Sequence, residues 1–232
     1  STQLFEAKNL KKEEIEVVMS ILSNYVPNCL VKTEVSCSVQ DINSLEPNTT
    51  DFANKIIQAI NIANLDIHRA VTHNKGIMNG IDAVVIATGN DFRAIEAGAH
   101  AYASRNGTYQ SLSNAYIKNN NFYFELTLPM AIGTVGGVTN LHPLVKLALK
   151  ILGNPNSKEL MKIIASVGLA QNFGALRSLV TSGIQKGHMK MHLINLLNKY
   201  ELNEEEKKLA ITYFKNRTVS SSSVENFIQN LR

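Results

Sequence analysis

Two segments of the chain alternate between apolar and polar side chains, and this pattern restricts the fold more than any other feature. Residues 121–130 place five apolar side chains on one face: Phe122, Phe124, Leu126, Leu128 and Met130. Residues 30–39 alternate in the same way, with Val31, Val35 and Val39 on the more apolar face. A period of two residues is typical of a strand with one buried face. We therefore expect a small sheet whose strands each bury one side.

Most of the remaining chain has apolar residues at helical spacing. We predict helices over residues 10–25, 51–65, 91–104, 142–152, 158–169 and 170–185, and three short helices after residue 187. A short apolar run, Ala83–Ala87, is predicted to be another buried strand between two polar loops. The predicted fold class is α+β (mixed α/β), a helix-rich domain with a small sheet and a C-terminal helical subdomain.

Composition excludes several classes of protein. The chain has 232 residues, of which 44% are apolar, and a net charge of +4. At about 150 residues per domain, the length suits one large domain, or one large domain with a small appendage, and the apolar fraction and low net charge exclude a disordered chain. No apolar run approaches the roughly 18 residues that span a bilayer. We therefore expect no membrane partner. The basic residues are scattered without an aromatic–basic stripe, so a nucleic acid is not an expected partner either.

Cysteine and histidine do not indicate a metal site. Cys29 and Cys37 are too far apart for a Cys-x-x-Cys site, so we expect two free thiols in a reducing compartment, the cytoplasm by default. His188 and His192 have the i, i+4 spacing of a helical metal pair. A third ligand and the glutamate of an HExxH motif are both missing. We therefore expect no bound metal.

Polar residues are concentrated on both sides of the apolar run Ala83–Ala87. The first group lies within eleven positions and consists of Arg69, Thr72, His73, Asn74, Lys75 and Asn79; Asn90 and Asp91 follow the run. Such groups line a binding site or, alternatively, form a solvated loop. Lys75 and Asp91 are candidates to pair across a site, where a protonated lysine stabilises a developing oxyanion; an ordinary ion pair is the alternative.

Three further features are weaker signals. His188 follows Gly187, where it is either a mobile general acid or a structural residue. The glycine-rich segment 133–137 is a weak candidate for a phosphate-binding loop, and it matches neither the P-loop nor the GxGxxG fingerprint of a nucleotide site. Gln171 and Asn172 follow the predicted helix break at Gly168, and backbone N–H groups at a helix start favour anions.

Four blocks of sequence resemble one enzyme family. They are residues 69–100 (RAVTHNKGIMNGIDAVVIATGNDFRAIEAGAH), 128–137 (LPMAIGTVGG), 168–172 (GLAQN) and 183–189 (GIQKGHM). In content and order they are similar to the 3-hydroxy-3-methylglutaryl-coenzyme A reductases, in particular the class II form of bacteria and archaea. The resemblance implies a two-step reduction of the thioester to mevalonate and free coenzyme A with NADH or NADPH, or the reverse reaction.

The resemblance also implies a role for individual residues. Lys75 matches the catalytic lysine, Asp91 the aspartate that tunes it, and His188 the histidine that protonates the coenzyme A thiolate. Arg69 and Thr72 match positions that hold the carboxylate of the acyl group, and Asn79 matches a residue that orients the lysine. Gln171 and Asn172 match positions beside the coenzyme A arm. The family forms dimers with the active site at the subunit interface, and we expect a dimer or larger assembly here.

The chain departs from the family pattern in its first part. No motif with the family's catalytic glutamate precedes Arg69, and the Asp-Ala-Met-Gly-Ala-Asn type motif of the nicotinamide site is absent, so no cofactor-binding residue is assigned. We therefore expect a remnant of the ferredoxin-like cofactor domain (residues 1–27), a large substrate-binding and dimerisation domain (28–186) and a C-terminal helical flap (187–232). The chain alone is expected to be inactive until an N-terminal segment or chain completes it.

A second function is compatible with the same residues. A non-catalytic acyl-coenzyme A binding or assembly module would keep the acyl pocket without the redox half. The presence of Lys75, Asp91 and His188 together argues for the enzyme, because a binding module needs none of the three for proton transfer or oxyanion stabilisation. A helical scaffold without a ligand is disfavoured by the length of the matching blocks.

Overall fold

The computed structural model describes residues 18–137, 141–181, 183, 192–200, 202–217 and 219–231. Its first elements are β1 (Leu30–Ser38), α1 (Val39–Ser44), α2 (Phe52–Leu65), α3 (Ile67–Ala87) and α4 (Phe92–Ala103). There follow β2 (Ser113–Lys118), β3 (Asn121–Pro129), α5 (Pro143–Ile151) and α6 (Ser157–Val180). The C-terminal part has helical residues 192–197, then α7 (Glu204–Tyr213), a 3-10 turn (Phe214–Asn216) and α8 (Ser221–Gln229). The structure is α+β, as the sequence predicts.

The sheet has three antiparallel strands in the order β1-β3-β2, so β3 is the central strand. The alternation predicted for residues 121–130 is confirmed, because all five apolar side chains of that face are at most 2% exposed. β2 was not predicted. It joins β3 through Asn119 and Asn120, both of which have positive φ. Two such residues are typical of the tight turn between hairpin strands, and this Asn-Asn pair was the available signal.

Helix α3 replaces the strand and loops that the sequence predicted between residues 68 and 91. The prediction of a buried strand at Ala83–Ala87 is therefore wrong. Buried positions along α3 recur every three or four residues: Ala70, His73, Asn74, Ile77, Met78, Ile81 and Val85. Asp66 begins the helix by accepting a hydrogen bond from the backbone N–H of His68 at 3.1 Å. The polar residues thus lie along a helix rather than in loops.

Helix α6 is continuous where a break was predicted at Gly168. Asn156 and Glu159 form a capping box at its start, and the helix then runs for 24 residues. A Cβ on Gly168 would lie 2.7 Å from Ile81 Cγ1 and 3.2 Å from Leu126 Cδ2. This glycine allows α6 to pack closely on α3 and the sheet, and it does not end the helix.

By length and composition alone α6 could also cross a membrane. Its apolar residues Leu160, Ile164 and Leu176 are fully buried and instead form part of the protein core.

The described ends of the chain give two further results. Residues 18–25 are not helical, so that part of the predicted helix 10–25 is wrong, and residues 1–17 lie outside the described ranges. Val18 and Leu22 are exposed and do not pack against other described residues, as one face of an amphipathic helix would. In the C-terminal part, three helical segments match the prediction. They enclose their own group of buried side chains, which includes Leu197, Phe214 and Val224.

Two carboxyl groups face each other between α3 and α4. Asp82 lies on α3 and Glu96 on α4, and Asp82 Oδ1 is buried without a donor among the described residues. Burial first, and then the charge and hydrogen bond of Glu96, raise the pKa of Asp82 to about 7. Two carboxyl groups hydrogen-bond to each other only when one of them keeps its proton. The pair therefore holds a proton near neutral pH.

Replacing Asp82 by asparagine is expected to increase the free energy of unfolding at pH 8. Because the folded pKa of Asp82 lies above the unfolded value of about 3.9, the wild-type protein loses stability as the pH rises from about 4 to about 7. Asp82→Asn removes this loss, a gain on the order of 1 kcal/mol after solvent screening of the half-buried pair. Urea unfolding at pH 5 and pH 8 measures the difference, which should be larger at pH 8. An equal effect at both pH values would contradict the shared proton.

Candidate functional site

A cleft of about 720 Å³ lies between α3 and α6. Six of the residues predicted for the site line it: Arg69, Thr72, Lys75, Asn79, Gln171 and Asn172. The first four come from α3 and the last two from α6. The nearest pair in sequence across the two helices, Asn79 and Gln171, is 92 positions apart. The volume is within the range of about 300–1,000 Å³ found for small-molecule sites. The fold thus assembles one concave site from two of the resembling blocks.

Helical spacing explains how α3 presents its part of the cleft. Arg69, Thr72, Gly76 and Asn79 follow one another at intervals of three or four residues, so they share one face of the helix. Lys75 lies beside this face and is exposed. The opposite face of α3 carries the buried apolar residues. The sequence prediction of polar loops here is wrong, because the polar stripe and the apolar stripe beside it both repeat with the period of about 3.6 residues that indicates a helix.

Close contact between α3 and α6 positions the other wall. A Cβ on Gly80 would lie 2.8 Å from the Cβ of Gln171 and 3.0 Å from the carbonyl oxygen of Val167. The glycine therefore brings the backbone of α3 against Gln171. Gln171 and Asn172 lie within α6 and not at a helix start, so the predicted role of backbone N–H groups there is wrong. Gln171 and Asn172 can therefore contact a ligand only through their side chains.

The cleft holds cationic groups that have no carboxylate partner. Arg69 is half-buried, and burial lowers the pKa of its guanidinium from the usual value without removing its charge. Among the described residues, no carboxylate forms an ion pair with Arg69 or Lys75. Asp66 also lines the cleft, but its side chain caps α3. A half-buried guanidinium without a counterion is a site for an anionic ligand.

A buried chain of hydrogen bonds supports Asn172. Ser113 Oγ donates to Asn172 Oδ1 at 2.8 Å, and His73 Nε2 lies 2.7 Å from Ser113 Oγ. All three residues are at most 2% exposed. Burial, and to a smaller extent Arg69, lower the pKa of His73 to about 3, so its imidazole is neutral. The carbonyl of Asn172 is occupied by Ser113, which leaves its amide NH₂ as the donor available to the cleft. Ser113 was missed because nothing in the sequence links it to α6.

Asp91 lies at the other end of α3. It caps α4 by accepting hydrogen bonds from the backbone N–H groups of Arg93 and Ala94, at 3.0 and 3.4 Å. Its carboxylate also pairs with Arg93 Nε at 3.3 Å, and the hydrogen bonds from the Arg93 side chain are the main reason that its pKa lies below the usual value. Lys75 precedes the last residue of α3 by 12 positions, or about 18 Å along the helix axis. The predicted pairing of Lys75 with Asp91 therefore does not form within one chain.

The glycine-rich segment lies at the same end as Asp91. Asn90 Oδ1 accepts a hydrogen bond from the backbone N–H of Gly133 at 2.9 Å, which fixes this loop beside the start of α4. The predicted site residues therefore lie in two places: some line the cleft along the first part of α3, and others lie beyond its last residue. His188 lies outside the described residues. Within the described ranges, no group of three or more His, Cys, Asp or Glu side chains could hold a metal ion, and Cys29 and Cys37 are both free.

Comparison with known proteins agrees with the sequence blocks. The family model for hydroxymethylglutaryl-coenzyme A reductase matches residues 2–193. The chain belongs to this family. The 3-hydroxy-3-methylglutaryl-coenzyme A reductase of Archaeoglobus fulgidus is 53% identical over 142 residues, which is 61% of this chain and 32% of that protein. A probable reductase of Borreliella burgdorferi is 40% identical over 199 residues, covering 83% of this chain and 46% of that protein.

Solved structures of reductases agree as well. The class II enzyme of Streptococcus pneumoniae, bound to NADPH in open conformations, matches with a TM-score of 0.68 and 44% identity over 93% of this chain. The match covers 53% of that chain. This chain therefore spans about half the length of the reductases that it resembles. Within the family, it is a class II member whose described part contains the cleft between α3 and α6.

Proposed function

We propose that this chain is the substrate-binding half of an enzyme that reduces 3-hydroxy-3-methylglutaryl-coenzyme A to mevalonate and coenzyme A. The overall reaction consumes two molecules of NADH or NADPH and two protons, or it runs in reverse. The observation that carries this proposal is that one cleft holds two cations, Arg69 and Lys75, which have no carboxylate partner among the described residues, together with the other residues that match the family. The substrate has a free carboxylate and a thioester carbonyl, which are the two groups that such cations serve.

Arg69 and Thr72 are proposed to hold the carboxylate of the acyl group. A guanidinium binds a carboxylate through two parallel hydrogen bonds, and a half-buried one gains more from the pairing than an exposed one. The Thr72 hydroxyl donates to the carbonyl of His68 at 3.2 Å, so a second donor role would require it to turn from the helix. The carboxylate is thus placed at the start of α3, one or two turns from Lys75.

Lys75 is proposed to stabilise the oxyanion that forms when hydride adds to the thioester carbonyl. A preorganised ammonium beside the developing charge lowers the barrier without reorganising solvent. Asn79, one turn further along α3, is proposed to orient the Lys75 ammonium. Gln171 and the amide NH₂ of Asn172 are proposed to bind the coenzyme A arm. His188 is proposed to protonate the departing thiolate.

The hydride donor is not assigned to any residue of this chain. The family's nicotinamide motif and the motif with its catalytic glutamate do not occur in the sequence. We propose that both are supplied by an N-terminal segment or chain, and that residues 1–27, 28–186 and 187–232 correspond to a cofactor-domain remnant, the substrate domain and a flap. Separate groups of buried side chains in residues 31–176 and 193–228 support the last boundary. The cytoplasm is the proposed location.

A second copy of the chain is proposed to complete the site. Lys75 lies near the middle of α3, whereas Asp91 lies beyond its last residue and pairs with Arg93, so the two do not meet in one chain. A two-fold axis that brings the Asp91 end of one copy to the cleft of the other would place both in each of two equivalent sites. The dimer thereby turns two separated halves of the family motif into one active site.

An activity assay tests the proposal. The chain is mixed with, or fused to, the N-terminal half of a class II relative, and oxidation of NADH and NADPH is followed with the acyl thioester as substrate. We expect activity only in the completed enzyme. Binding of the thioester by the chain without activity in the completed enzyme would instead show the acyl-coenzyme A binding module. Loss of both would contradict either function.

A further inference from the structure

Four glycines in the interiors of α3 and α6 fall into two groups. Gly80 and Gly168 each pack closely against other residues, so that a Cβ added to either would lie within 3.0 Å of a neighbouring atom. At Gly76 and Gly174, no heavy atom of the described residues outside the surrounding turns of the same helix lies within 4 Å of the position that a Cβ would occupy. Both glycines of the second group line the cleft, Gly76 on the α3 side and Gly174 on the α6 side. The two groups differ in the reason for having no side chain.

The described chain itself does not explain Gly76 and Gly174. Both lie in helix interiors, and neither has the positive φ that requires glycine. Glycine in a helix interior is less stable than alanine. No neighbouring atom of the described residues would be displaced by a methyl group at either position. Their cost in stability therefore needs an explanation outside the packing of these helices.

The cleft indicates that the explanation is a ligand. His73 lines the same cleft, is 2% exposed, and its Nδ1 has no hydrogen-bond partner among the described residues. Gly76 lies one helical turn, about 6 Å, beyond Thr72 and next to Lys75. In the proposed function, the carboxylate lies near Arg69 and the thioester carbonyl near Lys75. Because Gly76 shares one face of α3 with Arg69 and Thr72 while Lys75 lies beside that face, a ligand held at both places passes over Gly76 with the carbon that joins the two groups.

We propose that Gly76 and Gly174 are specificity-determining residues that make room for the substituents on the branched carbon of the acyl group. This inference rests on the proposed function and adds which feature of the substrate the cleft measures. The tertiary carbon carries a methyl and a hydroxyl group and is wider than an unbranched chain. Without Cβ atoms, the two facing walls leave space for that extra width.

Exchange of one methyl group for another tests the inference. Gly76→Ala and Gly174→Ala add a methyl to the protein, and 3-hydroxyglutaryl-coenzyme A lacks the 3-methyl group of the natural thioester. Titration calorimetry is expected to show that each variant binds 3-hydroxy-3-methylglutaryl-coenzyme A about tenfold or more weakly than the wild type does. The affinity for 3-hydroxyglutaryl-coenzyme A, the thioester without the methyl group, should change less than about threefold. Thermal unfolding should shift upward by roughly 2–4 °C, because alanine is the better helix former.

The control is Ala83→Gly, at an exposed position of α3 outside the cleft. It should lower the unfolding temperature and leave the affinity for both thioesters unchanged. If the two glycine variants lost the same affinity for both thioesters, or lost none, the inference would be overturned while the proposed function remained intact. A fall in unfolding temperature would also overturn it, because the glycines would then serve packing. If the wild-type chain binds neither thioester, the proposed function fails and this inference fails with it.

Discussion

Lys75→Ala is expected to lower the turnover number of the completed enzyme by about 100- to 1,000-fold. The lysine is the exposed cation of the cleft that the proposed mechanism places beside the thioester carbonyl. Removing one preorganised donor to a developing oxyanion has effects of this size. The Michaelis constant should change much less, because Arg69 still holds the carboxylate. Steady-state oxidation of NADH or NADPH provides both constants.

Lys162→Ala is the matched control for the lysine. Lys162 is exposed on α6 and lies outside the cleft, so its removal changes the net charge equally without touching the site. Its turnover number should equal that of the wild type. If Lys75→Ala retained wild-type turnover, or if both variants lost the same activity, Lys75 would not have the role proposed for it.

Gly168→Ala is expected to lower the free energy of unfolding by about 2 kcal/mol. The added Cβ would stand 2.7 Å from Ile81 Cγ1, and both Ile81 and Leu126 are fully buried, so they have little freedom to move away. Overpacking of a core has a cost of this order, and it exceeds the gain of up to about 1 kcal/mol from replacing glycine in a helix. Urea unfolding followed by circular dichroism measures the change.

Gly174→Ala is the paired control, since it is the same substitution six residues later in the same helix. In the part of the chain that the structure describes, no atom outside the adjoining turns of α6 lies within 4 Å of the new methyl group. The helix-propensity gain therefore remains, and the protein should become more stable by about 0.5–1 kcal/mol. The two variants should therefore change stability in opposite directions. A change of the same sign in both would contradict the close packing of α3 and α6 at Gly168.

The sheet was predictable because the side chains of its central strand, β3, alternate between apolar and polar with a period of two residues. In β3, one face is completely buried and the other is partly solvated, and this arrangement produces alternation. Helix α3 was not predictable in the same way. Its exposed side lines a cleft, so Arg69, Thr72 and Asn79 occupy positions that resemble a polar loop, and Gly76 and Gly80 resemble turn residues. The glycines serve close packing or an open cleft, which are properties of the tertiary structure.

The site was predictable from resemblance and only partly from pattern. The polar group around Lys75 was visible in the sequence, but its division from Asp91 by the length of α3 was not, because that division depends on residues 83–87 being helical. Gln171 and Asn172 lie at the site because Gly80 lets α3 pack closely against α6. No local sequence pattern predicts that contact. Ser113 contacts His73 and Asn172, and Asp82 contacts Glu96. These partners are not neighbours in sequence, so the contacts could not be predicted from local patterns.

Mixing two inactive variants tests the proposed shared site most directly. Lys75→Ala and Asp91→Ala are each prepared in the completed enzyme, then mixed in equal amounts and allowed to exchange subunits. If Lys75 of one copy acts with Asp91 of the other, each mixed dimer contains one intact site, and the mixture should recover about a quarter of wild-type activity. If both residues act within one chain, every site in the mixture lacks one of them. Activity that stays at the level of the separate variants would contradict the shared site.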